Sequence, residues 1–143
     1  MKQLKVMLGC IILGIAFIVI DQLIGNGFLE VFLKTQILPI CSTILGFSVA
    51  SVTFLIGKIA ETENNTEYNF NKSRKEIKDS ICFMIYTYVA IIFLLFLKPS
   101  SGYDCLVLSL NSLIMSLFFI QIYIVHEIIN AIFLFKIFKD KRV

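Results

Sequence analysis

The sequence predicts an all-α membrane protein, a single four-helix transmembrane domain over 1–143. Three observations carry that prediction. First, 58% of the 143 residues are hydrophobic and only 16% are charged, whereas a soluble domain of this size carries about a quarter charged residues. Second, the apolar residues gather into four segments, each close to the roughly 20 residues a helix needs to cross about 30 Å of hydrocarbon. Third, the basic residues are distributed unevenly among the connections. Lipid cannot satisfy open backbone groups, so each segment is read as a helix.

The helices are expected at about 5–24, 35–58, 74–97 and 104–138. The first follows "MKQLK" and ends near Asp21, and "DQLIGNG" behind it offers no small-x-small cleavage site. It therefore reads as a retained helix rather than a signal peptide. Asp21 is placed at the membrane interface, because a lone carboxylate deep in lipid is costly. "GNGFLEVFLK" reads as a turn and a short interfacial segment. The second helix is uncharged from Thr35 to Gly57. A polar loop, 58–79, follows, in which "ENNTEYNFN" should break the helix. Ser73 to Glu76 has capping-box spacing ahead of the third apolar run. Pro99 ends the third helix at the tight turn "KPSSG", and the fourth is uncharged from Cys105 to Val125.

Eleven of the 13 basic residues lie in the N-terminal tip, the 58–79 loop and the C-terminal tail, leaving Lys34 and Lys98 in the opposite connections. Basic residues concentrate on the cytoplasmic side, so both termini and the middle loop are expected there. The four cysteines, Cys10, Cys41, Cys82 and Cys105, have no CxxC spacing and stand beside one histidine, so they read as small buried hydrophobes. No metal site or cofactor is expected. No basic stripe interleaved with aromatics is present, so direct DNA binding is not expected. With no phosphate loop, nucleophile elbow or paired mid-membrane carboxylates, the chain does not read as an enzyme.

Two helices carry patterned polar or small residues. On the second, Ser42, Gly46, Ala50, Thr53 and Gly57 fall within an arc of about 80° at 100° per residue. Such a stripe lets helices approach closely in lipid, either within one subunit or between subunits. Ser48 and Ser51 point to the other side. On the fourth, Ser109, Ser112, Ser116, Tyr123, Glu127 and Asn130 recur along one face, with His126 at its border. That face should turn inward, toward a partner helix or a water-filled path. Past Glu127, "IINAIFLFKIF" is too apolar for a solvated tail and reads as an interfacial or partner-binding extension.

"ASVTFLIGKIA", "PSSGY" and "YIVHEIINAIFLFKIFKD" together resemble the small four-helix membrane effectors typified by the Rex exclusion system of phage lambda. Thr53 to Gly57, Ser101 to Tyr103 and His126 carry the resemblance, which covers about the last two-thirds of the chain. It implies a multi-pass protein of the bacterial inner membrane acting in anti-phage abortive infection. It further implies a homo-oligomer, guessed to be a tetramer, forming a toxic ion channel that depolarises the membrane. The implied triggers are a cytosolic sensor protein, or a nucleotide or oligonucleotide signal. The competing readings are a small multidrug-type secondary transporter and a non-conducting anchor or immunity subunit.

Overall fold

The computed structural model describes the backbone of residues 2–25, 27–65, 70–98 and 105–140, and side chains within 5–25, 27–63, 70–71, 73–98 and 105–133. Its elements are α1 (Lys2–Ile24), α2 (Phe28–Val31), a π-helical turn (Phe32–Gln36), α3 (Ile37–Asn65), α4 (Asn71–Leu97) and α5 (Cys105–Asp140). Among the described residues, four stretches are long and apolar enough to cross a membrane: Lys5–Ile24, Phe28–Glu63, Ser73–Leu97 and Cys105–Phe133. The surface of the bundle suits that environment. Phe96 is 87% exposed and Leu23 is 81% exposed, which would be costly in water and is neutral in hydrocarbon.

Two apolar clusters order the bundle. Leu33, Ile37, Cys41, Ile91, Ile114 and Met115, with Ile18 and Leu29, pack toward the α1–α2 turn. Val52, Met84, Ile124 and Ile128 pack toward the α3–α4 loop. Residue numbers rise between the clusters along α3 and α5 and fall along α4. So α4 runs antiparallel to both its neighbours.

The first connection corrects the expected separate interfacial segment. Asp21 O accepts from Gly25 N–H at 2.9 Å, and Gly25 and Gly27 both take positive φ, +67° and +65°. Those left-handed values favour glycine and turn the chain sharply. Gly27, as N-cap of α2, has no side chain to cap with. Asp21 Oδ1 takes that role, accepting from Leu29 N–H at 3.1 Å. The chain then stays helical into α3. Pro39 lacks the N–H that would reach Thr35 O, and its ring crowds that carbonyl. The π-helical turn immediately before it accommodates the misfit. The second membrane helix therefore begins at Phe28 rather than 35.

The far end differs as well. α3 continues to Asn65, so "ENN" does not break it. α4 starts at Asn71, and its N-cap, Phe70, has no side-chain cap, so Ser73 lies inside the helix rather than capping it. A carboxylate from α3 substitutes. Glu63 Oε1 accepts from Phe70 N–H at 2.8 Å, and Glu63 Oε2 pairs with Arg74 Nη2. The Pro99–Tyr103 turn, residue 104, the side chains of Lys136 and Lys139, and Lys141 and Arg142 lie outside the described residues.

Candidate functional site

α1 and α5 approach closely at Gly14. A Cβ placed on Gly14 would collide with Ser116 Oγ and lie 3.0 Å from both Ser112 O and Ser116 N. Only a glycine lets the two backbones meet there. Ser116 is buried and donates its hydroxyl to Ser112 O at 2.7 Å. The middle of the polar stripe on α5 is thus closed off by α1 within one chain. Phe17 and Phe119 continue the contact edge to face, with centroids 5.9 Å apart.

The ends of the stripe are open. Ser109 is exposed, as are His126, Glu127 and Asn130, while Ser112 and Tyr123 are half-buried. Tyr123 Oη donates to Glu127 Oε1 at 2.8 Å, and Asn130 Nδ2 donates to His126 Nε2 at 2.9 Å. These i,i+4 pairs hold the polar groups in register along one helix.

On α3 the small residues face outward. Ser42, Gly46, Ala50, Thr53 and Gly57 are all exposed, and a Cβ on Gly46 or Gly57 would meet nothing within 4 Å. Thr53 Oγ1 is satisfied by Val49 O at 2.8 Å. At the head of the stripe, the Ser42 hydroxyl and Tyr88 Oη bond at 2.7 Å, tying α3 to α4. On the opposite face Ser48 is buried and donates to Ile44 O at 2.8 Å. Ser51 is half-buried.

Past the second apolar cluster, a cleft of about 330 Å³ lies between α3, α4 and α5. Val52, Leu55, Ile59, Ile77 and Ile128 give it an apolar lining, and Ser73, Ser80, Glu76 and Glu127 make it polar and acidic at the exposed edge. Among the described residues, no three His, Cys, Asp or Glu side chains gather into a metal-holding cluster. Cys10, Cys41, Cys82 and Cys105 are free, the first two buried and the last exposed.

The chain matches no family model, no curated protein and no solved structure.

Two positions that matter for this architecture are silent in the periodicity argument. Gly14 sits in an apolar run, where its absence of a side chain carries no pattern. Gln121 has no exposed surface, and neither of its amide atoms has a hydrogen-bond partner. It lies off the face occupied by the α5 serines. A lone amide in the middle of "SLFFIQIYIV" was the available signal.

Proposed function

We propose that this chain is the membrane effector of an anti-phage defence system of the bacterial inner membrane. In this reading it assembles into a homo-oligomeric ion channel, opened by a cytosolic sensor, that depolarises the cell. The defence role and the Thr53–Gly57 and His126 positions come from the resemblance of "ASVTFLIGKIA" and "YIVHEIINAIFLFKIFKD".

The observation that carries assembly is the outward-facing, uncovered stripe Gly46, Ala50, Thr53 and Gly57. In lipid, helices associate through close van der Waals packing and not through the hydrophobic effect, so a small-residue face on the outside of a protomer favours contact with another copy. Two packed apolar clusters occupy the seams between the helices of one subunit, and a conducting path then belongs between subunits. Exposed hydroxyls on α3 and the Tyr123–Glu127 and His126–Asn130 pairs on α5 are the polar groups available to it.

With basic loops on the cytoplasmic side, the acidic cleft opens to the cytosol. Its carboxylates, Glu76 and Glu127, favour a Lys or Arg side chain of a sensor protein and repel the phosphates of a nucleotide. Of the two triggers considered, the protein is therefore the better fit at this cleft. A proton-coupled transporter needs an ionisable group within the bundle. Among the described residues the buried polar side chains are Ser48, Thr87, Ser116 and Gln121, none of which titrates.

Planar-bilayer recording of the purified chain, with and without its cytosolic partner, tests the reading. The expected result is partner-dependent conductance. Gly46→Leu and Gly57→Leu should abolish it together with the oligomer, while helicity is retained. No conductance in any condition overturns the channel. Unchanged oligomers in both variants remove α3 from the subunit contact.

A further inference from the structure

Between the two apolar clusters lies a layer of buried polar side chains from three helices. On α3, Ser48 stands between Cys41 and Val52. On α4, Thr87 stands between Met84 and Ile91. On α5, Gln121 stands between Met115 and Ile124. Val52, Met84 and Ile124 pack in one cluster, and each polar residue is about one helical turn from its member of that cluster. The three therefore share one level of the bundle, deep within the membrane-spanning stretches. Ser48 is 1% exposed, Thr87 5% and Gln121 0%.

The hydrogen-bond inventory of this layer does not close by itself. Ser48 Oγ donates its one proton to Ile44 O at 2.8 Å, and Thr87 Oγ1 donates its own to Met84 O, also at 2.8 Å. Both hydroxyl oxygens are left able only to accept. Gln121 needs the reverse as well: Nε2 offers two N–H groups, and Oε1 requires a donor. Both atoms are covered and unpartnered. The hydroxyls can serve Nε2, directly or through a bridge, but nothing in the layer donates to Oε1. An amide left bare in an apolar interior costs several kcal/mol.

A ligand that both donates and accepts resolves the mismatch. We infer that Ser48, Thr87 and Gln121 bind a water molecule inside the protomer, at the seam of α3, α4 and α5. A buried water makes about three hydrogen bonds to such groups. A monovalent cation fits less well, because it accepts nothing from the Nε2 protons. The site is separate from the outward stripe of α3 and from the acidic cleft, and it does not depend on whether the assembly conducts.

Water-edited solid-state NMR on the full chain in lipid bilayers tests this, with ¹⁵N in the glutamine side-chain amides. The sequence has four glutamines, Gln3, Gln22, Gln36 and Gln121. Gln→Asn changes at the other three assign the Gln121 signal without altering it. The expected result is polarisation transfer from water to Gln121 Nε2 while the methyls of Ile91 and Ile114 stay dark. Ser48→Ala with Thr87→Val should lower that transfer by about a third or more, because the water gives one proton to Gln121 Oε1 and loses the hydroxyl that accepts the other, one of its roughly three contacts. Each single variant should lower it less, and either serves if the pair does not fold. Transfer to Gln121 as slow as to Ile114 overturns the site. So does undiminished transfer in a folded Ser48→Ala/Thr87→Val variant. A Gln121 signal that moves when Na⁺ and K⁺ are replaced by a large organic cation overturns water as the occupant.

Discussion

Replacing Gly14 by alanine probes the tight α1–α5 contact, and the structure sets the size of the effect. The new methyl collides with Ser116 Oγ and stands 3.0 Å from two backbone atoms of α5, Ser112 O and Ser116 N. Rotating the Ser116 hydroxyl away relieves only the first clash and breaks its 2.7 Å bond to Ser112 O. The backbone contacts yield only if α1 and α5 separate. Overpacking of this kind costs about 1–3 kcal/mol, and the lost hydrogen bond about 1 kcal/mol. Better helix propensity returns about 1 kcal/mol. The net expectation is a destabilisation of about 1–3 kcal/mol, read from reversible unfolding in mixed micelles. Ser116→Ala removes the hydroxyl that the methyl strikes. In a double-mutant cycle, the pair should therefore show a favourable coupling above about 0.5 kcal/mol. Gly9→Ala, on the same helix, is the control, since its methyl meets nothing within 4 Å. If Gly14→Ala is as stable as wild type, or if its effect is independent of Ser116, the α1–α5 contact is not as tight as described.

Asp21→Ala should cost about 1 kcal/mol, the usual value of a helix N-cap, because Leu29 N–H loses its 3.1 Å acceptor. Asp21→Asn, which keeps an oxygen at that place, should restore most of the loss; equal losses in both would refute the capping role. Lys98 carries a pH dependence. Burial pushes its ammonium below the ordinary lysine range; Glu30 offsets part of this, while Lys34 adds to it. Its Nζ has no hydrogen-bond partner. The unfolded chain then holds this proton to higher pH than the folded protein does. The penalty is full at neutral pH, and stability rises as pH climbs through the lowered value toward about 10.4. Lys98→Met should raise the thermal midpoint at pH 7, with a gain that shrinks toward pH 10. A gain constant with pH would mean the ammonium is not the cause.

How much of this was legible in the sequence depends on what each feature has to contrast with. The four membrane spans follow from apolar runs, which charged connections interrupt sharply. Boundaries are harder where a residue 7 to 11 positions away supplies the cap. Asp21 caps the helix beginning at Phe28, and Glu63 substitutes for a cap at Phe70 and Arg74. Neither pairing has a local signature, so spacing alone places the start of the second span late and the cap of the third at Ser73. The small stripe on α3 was visible as a pattern, but its direction was not. On α5, the serine spacing was equally plain, yet its centre is buried against Gly14 and its ends are exposed.

The physical reason is the solvent. In water, a helix shows its inner face by being apolar there and polar elsewhere. In hydrocarbon, both the neighbours and the surroundings are apolar, so composition around the helix says little about its rotation. Apolar runs and charge placement alone make the chain helical and long enough to cross a membrane four times, and mark where it is interrupted. Packing in three dimensions sets which faces meet. It turned Gly46 and Gly57 outward, pressed Gly14 onto Ser116, and enclosed Gln121 between two apolar clusters without a partner.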